Sequence, residues 1–351
     1  MTRATGPLSP LLKPIAWIAA RLYGVGVSMR NAKFDAADGI EVLEANGTRV
    51  PVISVGNVTA GGTGKSPVVA WICEELARSG KRPVIALRGY RSHAAADGRV
   101  ESDEAQEYAI TAPSALVVVG AHRLACLREA LSKPEVASWI HDAVVVLDDG
   151  FQHRQLARAL DIVLVDATRH GLDGDLLPNG WLREPARALR RAGLVIVTKA
   201  EDALQRTAAS QAVTVARGIA PEAHCTHAWR SLSVYTDGIM RRESVEWLAT
   251  RRVVIASALG NPAQFRGAVE RARAVVIDEL RKSDHRAFAA QEVERLLQHA
   301  TKVDACVLTR KDFVKLDAVV RGTVVVPDLE IAMDPASCAR LRAAIDSVSL
   351  H

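Results

Sequence analysis

Val50-Pro-Val-Ile-Ser-Val-Gly-Asn-Val-Thr-Ala-Gly-Gly-Thr-Gly-Lys-Ser66 carries the pattern from which the rest of the architecture can be worked out. Val50 to Val55 is an apolar, β-branched run, residues 59–66 are rich in glycine, and Pro67 opens a helix-like stretch to Ser79. Strand, glycine-rich turn and helix start follow one another as a phosphate-binding loop requires. Backbone N–H groups freed by Gly61, Gly62 and Gly64 can close around phosphate oxygens, and the dipole of the following helix favours negative charge. The expected nucleotide cradle is therefore Thr59, Ala60, Gly61, Gly62, Thr63, Gly64, Lys65 and Ser66. Lys65 would reach the β- and γ-phosphates of ATP, and the Ser66 hydroxyl would ligate Mg2+. The strict pattern carries a glycine where this chain has Thr59.

Further apolar runs recur with room for helices between them: Pro83 to Leu87, Ala115 to Val119, Ala143 to Leu147, Ile162 to Val165 and Leu194 to Val197. Near-continuous apolar strands alternating with helical segments predict an α/β fold with a parallel sheet covered on both faces. Ligands are then expected at the carboxyl ends of the strands. From about Thr207 the pattern is less regular, with a hairpin or irregular connection around Ser231 to Met240. Alternation resumes with Val253 to Ser257, Ala274 to Ile277, Ala305 to Thr309 and Thr323 to Pro327. The expected organisation is a P-loop NTPase-like α/β/α core over residues 31–224 and a smaller α/β domain over 225–351, preceded by an N-terminal amphipathic helix within residues 1–30.

Ala143-Val-Val-Val-Leu147 runs into Asp148 and Asp149, an apolar strand ending in carboxylates. A nucleotide kinase needs such a group to hold the magnesium that bridges the phosphates. Acidic candidates outside this strand end are Asp103 and Glu104, in a segment that equally suits an ordinary helix start.

Composition narrows the partners. The net charge of +5 over 351 residues is modest, and aromatic residues make up only 4%, which argues against a nucleic-acid surface. Cys73, Cys126, Cys225, Cys306 and Cys338 form no Cys-x-x-Cys pair, so neither a disulfide framework nor a zinc site is expected. His224, Cys225 and His227 are read as incidental for want of a second ligand pair. No run of about 20 uncharged apolar residues is present to span a bilayer. Leu11, Ile15, Ile18, Leu22 and Val25 nevertheless fall on one helical stripe, with Trp17 and Tyr23 near it and Lys13, Arg21 and Arg30 around it. Such a helix suits either a bilayer interface or a packed core.

Three strings carry a resemblance: Val55-Gly-Asn-Val-Thr-Ala-Gly-Gly-Thr-Gly-Lys-Ser-Pro67, Leu147-Asp-Asp-Gly-Phe-Gln-His-Arg154 and Leu176-Leu-Pro-Asn-Gly-Trp-Leu-Arg-Glu-Pro185. With Gly260-Asn-Pro and Phe265, Ser283-Asp-His285 and Thr309-Arg-Lys-Asp312, they resemble, in order and at matching spacing, the tetraacyldisaccharide 4′-kinases of lipid A biosynthesis. The resemblance implies ATP- and Mg2+-dependent phosphorylation of the 4′-hydroxyl of an acylated glucosamine disaccharide, on the cytoplasmic face of the bacterial inner membrane. It implies two α/β/α domains with the active site in the cleft between them.

Thr59 is a trait of that family. Carried over by position, Asp103 matches an aspartate that receives or orients the acceptor proton, Glu104 its acidic neighbour, and His285 a histidine supporting that aspartate. Asp148 and Asp149 match a magnesium-associated pair, Gln152 and His153 follow them into the site, and Arg183 and Glu184 match a pair near the cleft. The chain departs from the family at Ser102 and Ala105, which flank the acidic pair where glycine and proline are usual. It departs again at Arg310, where a glutamate is usual, and at Ala258, where a glycine is common. The phosphate loop and acidic strand end alone would equally serve a nucleotide-hydrolysing switch or metallochaperone-type protein, and a soluble small-sugar kinase is a further alternative. With the lipid substrate implied, the N-terminal stripe reads as a membrane-surface helix.

Overall fold

The structure, a computed structural model, describes residues 13–89, 93–94, 100–169, 171–259, 262–282, 287–299 and 303–348. The chain forms two compact units, Met1–His227 with Ile331–His351, and Ala228–Glu330.

In the first unit, helix α1 (Lys13–Asp35) precedes β1 (Val52–Asn57), α2 (Lys65–Arg78), β2 (Arg82–Leu87), α3 (Asp103–Thr111), β3 (Leu116–Val119) and α4 (Arg123–Leu131). β4 (Ala143–Asp148), β5 (Leu160–Asp166), β6 (Leu194–Thr198), α5 (Ala203–Arg217) and the start of β7 (Ala223–Thr236) follow. The strands lie in the order β7–β6–β5–β1–β4–β2–β3, each pair parallel. Strand order reverses around β1, so the loop leaving its carboxyl end opens at the switch point where α/β sheets bind ligands.

Side chains of β1 and β4 are buried throughout, which is why these segments read as unbroken apolar runs. Alternate residues serve opposite cores. Ile53, Val55, Val144 and Val146 pack with Val68, Ile72 and Leu76 of α2, whereas Val52, Val145 and Leu147 pack with Leu127 and Leu131 of α4.

In the second unit, the later part of β7 pairs antiparallel with β8 (Ile239–Glu243). The hairpin turns at Asp237 and Gly238, both at positive φ, as a tight two-residue turn demands. Strands β9 (Arg252–Ser257), β10 (Val275–Arg281), β11 (Ala305–Leu308) and β12 (Thr323–Met333) are parallel in the order β10–β9–β11–β12, with α6 (Pro262–Arg271) and α7 (Ala290–His299) between them. Arg310, one of the departures from the resembled pattern, is buried and donates to Asp328, Ser233 Oγ and Tyr235 Oη, a structural ion pair in this unit.

The sequence pattern places the second domain at 225–351, but its last stretch returns to the first unit. Helix α8 (Pro335–Val348) buries Leu341, Ile345 and Val348 in the core that holds Ile72 and Leu76. Arg342 adds two hydrogen bonds to the Glu75 carboxylate, at 2.9 and 3.1 Å. The helix pattern carried no partner label, so only tertiary contact decides which core it joins.

Helix α1 buries a thin face of Ala16, Ala20, Val27 and Phe34. Its long apolar residues, Ile15, Ile18, Leu22, Val25 and Met29, point outward, with Trp17 half exposed under the Arg21 guanidinium 4.9 Å from its ring. Leu11 of the same stripe lies outside the described residues. The inner face is fastened by polar contacts: Tyr23 Oη donates to the Arg183 carbonyl at 2.9 Å and Asn31 Nδ2 to Glu184 at 2.7 Å. Among the described residues no helix is long and apolar enough to cross a membrane.

Candidate active site

The phosphate loop joins β1 to α2. Gly64, at the helix N-cap, has φ +79°, a backbone conformation that side-chain-bearing residues resist, and the His227 ring packs where its Cβ would be. The α2 N-terminus thus leaves unpaired N–H groups and a positive dipole end at the loop.

The β4 terminus faces this loop because β4 and β1 are adjacent and parallel, with Val55 in register with Asp148. Asp148 is buried. Tyr108 Oη of α3 donates to its Oδ2 at 2.9 Å, and its Oδ1 has no hydrogen-bond partner among the described residues. The Ser66 hydroxyl interacts with the same Tyr108 oxygen, so Ser66, Tyr108 and Asp148 form one chain. Burial, reinforced by the Asp148 charge, pushes the Tyr108 phenol well above its ordinary range and keeps it a donor. A buried carboxylate oxygen without a partner, beside a hydroxyl at a helix N-terminus, is the hard-oxygen donor set that magnesium takes. The residues present fit that ion.

Asp149 has turned the other way. At φ +52° the backbone carries its side chain out of the strand line, toward Lys65 Nζ at 3.3 Å and Arg183 Nη1 at 2.7 and 2.8 Å from its two oxygens. Burial would raise its pKa, but the charges of Lys65 and Arg183 outweigh this and hold it at about 2. Asn57 Oδ1 accepts from Lys65 Nζ at 3.4 Å, and Gln152 Nε2 donates to the Asn57 carbonyl at 2.9 Å while its Oε1 accepts from Arg183 at 3.4 Å. Lys65, Asp149, Gln152 and Arg183 are therefore one network, with two cations held beside the loop by a single carboxylate.

Not every expected residue joins that network. Asp103 and Glu104 occupy the exposed first turn of α3, whose cap is Ser102 Oγ accepting from Ala105 N–H at 3.1 Å. Glu104 contributes to the field around Arg123, a buried guanidinium donating to the Asp149 carbonyl at 3.2 Å. His285 lies outside the described residues, as do Gly260 and Asn261. Glu184 is fully buried and accepts from Asn31 and from Arg191 at 2.8 Å, so it fastens α1 to the core one residue away from the site-facing Arg183. His153 has a buried Nε2 without a partner among the described residues; burial, with nearby Arg123, Arg158 and Arg88, lowers its pKa to about 4. His224 and Cys225 make no metal cluster: His224 Nε2 is 2.8 Å from Ser210 Oγ, Cys225 is buried in β7, and no group of three or more possible ligands occurs among the described residues.

Sequence reasoning missed Asn57, Tyr108, Arg123, Thr198, Lys199 and Asp166. Two of them carried a usable signal. Asp166 and Thr198 end the strands β5 and β6, and strand carboxyl ends are where an α/β sheet places its chemistry.

A parallel sheet with a lysine-bearing phosphate loop at its switch point, a buried carboxylate fitted for magnesium and an arginine beside the loop defines a P-loop nucleotide-phosphate site. Residues 8–346 match the family model described as tetraacyldisaccharide-1-P 4′-kinase. The chain is 32% identical to the tetraacyldisaccharide 4′-kinase of Geobacter sulfurreducens, covering 98% of this chain and 95% of that one. It is 38% identical to that of an Anaeromyxobacter dehalogenans strain, covering 89% and 83%. A crystal structure of LpxK from Aquifex aeolicus in complex with ATP superposes with a TM-score of 0.66 at 23% identity, over 96% of this chain and 98% of that one, which shows a shared fold. The chain belongs to the tetraacyldisaccharide 4′-kinase family.

Proposed function

We propose that this chain transfers the γ-phosphate of ATP to the 4′-hydroxyl of a tetraacyl glucosamine disaccharide 1-phosphate, giving lipid IVA, a late intermediate of lipid A biosynthesis. The observation that carries the reading is the Lys65–Asp149–Arg183 network beside the phosphate loop, in a chain matched over nearly its whole length by this kinase family.

Phosphoryl transfer is chiefly a matter of positioning and of neutralising charge on the transferred group. Loop N–H groups bind the phosphates, and Lys65 and Arg183, held close together by Asp149, supply two positive charges where the γ-phosphate is handed over. The Ser66 hydroxyl and Asp148 would hold magnesium, which would supply neutralisation of phosphate charge. Tyr108 keeps Asp148 oriented by donating to the oxygen opposite the unpartnered one. Asp103 and Glu104 lie in the exposed first turn of α3, and in this reading Asp103 takes or orients the proton of the acceptor hydroxyl.

Helix α1 supports the lipid assignment. Five long apolar side chains at i, i+3, i+7, i+10 and i+14 are left facing solvent, an arrangement suited to lying in the interface of a bilayer that holds the acyl chains. Lys13 and Arg21 would meet anionic head groups. The protein then works as a peripheral or monotopic enzyme on the cytoplasmic face of the inner membrane.

The test is direct. Purified protein with ATP and magnesium should convert an acylated disaccharide monophosphate to the bisphosphate, and Lys65→Met should remove that transfer. Transfer indifferent to the substitution would refute the assignment.

A further inference from the structure

The phosphate loop is gripped from outside by its carbonyl oxygens. Asn57 Nδ2 donates to the Thr59 carbonyl at 2.6 Å, Lys199 Nζ to the Gly62 carbonyl at 2.9 Å, and Thr198 Oγ1 to the Thr63 carbonyl at 2.8 Å. On the opposite rim Ala60 N–H donates to the Trp181 carbonyl at 2.7 Å. In a trans peptide the C=O and N–H of one plane point to opposite sides. Pinning the Gly62 and Thr63 oxygens toward β6 therefore turns the Thr63 and Gly64 N–H groups the other way.

Lys199 is itself held. Its ammonium sits 2.6 Å from Asp166 Oδ2, and Asp166 Oδ1 accepts from Thr168 N–H at 2.9 Å and Thr168 Oγ1 at 2.6 Å. The two side chains are 13% and 2% exposed. Asp166 and Thr198 are register partners at the carboxyl ends of β5 and β6, so strand pairing sets the spacing of the grip. Lys199 takes φ +52°, an uncommon conformation for a residue with a side chain, at the point where the chain leaves β6.

We propose that Lys199, oriented by Asp166, is a positioning residue for nucleotide binding: it fixes the Gly62 carbonyl and thereby presets the loop N–H groups for the phosphates of ATP. This rests on the nucleotide-site reading given above. A free glycine-rich loop must lose conformational freedom when it closes on an anion, and a loop held from outside has already lost it. The lysine also balances a buried carboxylate near the phosphate site, so its removal adds a repulsive charge as well as a looser loop.

The experiment compares Lys199→Met, Lys199→Arg and Asp166→Asn with the unmodified chain, by calorimetric titration with ATP and magnesium and by steady-state kinetics on both substrates. Loss of a hydrogen bond from a charged donor predicts an ATP Kd raised about tenfold in Lys199→Met. The KM for the lipid and the rate at saturating ATP should stay within about twofold, and Lys199→Arg, which keeps the charge and a donor, should recover most of the affinity. Folded Lys199→Met that binds ATP like the unmodified chain would overturn the proposal. So would parallel loss for both substrates without recovery in the arginine variant, the signature of general destabilisation. Should Lys199→Met fail to fold, Asp166→Asn decides: a selective rise in ATP Kd supports the proposal and unchanged affinity overturns it. Absence of ATP binding by the unmodified chain would refute the nucleotide reading and this inference together, whereas normal binding with indifferent variants refutes the inference alone.

Discussion

On the proposed membrane-surface reading, replacing Ile18 and Leu22 of α1 by glutamine should lower the affinity for lipid vesicles without unfolding the protein. The two side chains are 57% and 70% exposed, so the folded chain gains little from them. Full burial of such a side chain stabilises by roughly 2 kcal/mol, so transferring the exposed portions into a bilayer interface contributes about 1.3 kcal/mol each. Losing both, about 2.5 kcal/mol, lowers the partition coefficient roughly 60-fold. Glutamine is close to leucine in helix propensity, so the helix itself should persist. Flotation with phosphatidylethanolamine–phosphatidylglycerol vesicles measures the partition directly, with a thermal melt of each protein beside it. Ala16→Gln, on the buried face, should show the converse, a lowered Tm. An unchanged vesicle-bound fraction in the Ile18→Gln/Leu22→Gln protein, or no binding by the unmodified chain, would refute the reasoning that the outward face meets lipid.

Three further outcomes follow from the site. Asp149 has a folded pKa of about 2 against an ordinary 3.8, so its pairing stabilises the protein above pH 4 and that stabilisation is lost as pH falls toward 2. The full shift corresponds to about 2.4 kcal/mol; with a side chain 37% exposed, screening by water reduces the expected figure to about 1 kcal/mol. Asp149→Asn should remove that much at pH 7 and flatten the acid limb between pH 4 and 2 in denaturant titrations. Tyr108→Phe takes the donor from a buried carboxylate and should cost about 1.5 to 3 kcal/mol by urea unfolding; an unchanged midpoint would show that water replaces the hydroxyl. Gly64→Ala forces a side chain into a left-handed backbone against the His227 ring. It should lower stability by about 1 to 2 kcal/mol and weaken ATP binding at least tenfold, read by thermal melt and calorimetry.

Much of this architecture was legible from residue pattern alone. Each expected strand, from the Val50–Val55 run to Thr323–Pro327, overlaps a strand of the structure, because a strand buried on both faces must be apolar along its length. The phosphate loop was legible because glycine spacing, lysine and helix start are consecutive in the chain. Asp148 and Asp149 were legible as a pair but not as two different roles. Identical side chains one residue apart point in different directions only once the φ of +52° at Asp149 is known. Glu184 was legible only as the neighbour of Arg183 in a pair near the cleft; its burial against Asn31 and Arg191, which makes it an anchor for α1, was not.

Residue pattern was enough for the local objects: which segments are strands, where the anion-binding turn lies, and that α1 carries an apolar stripe. These depend on neighbours within a few residues, where side-chain period and backbone freedom act directly. Which of those objects meet depends on long-range packing. That packing left the α1 stripe facing outward, returned α8 to the first unit, set Tyr108 against Asp148 across 40 residues and laid Lys199 on a loop 137 residues away. Those pairings are set by strand order and register, and a hydrogen bond between distant residues leaves no periodic trace in either partner's own stretch of chain.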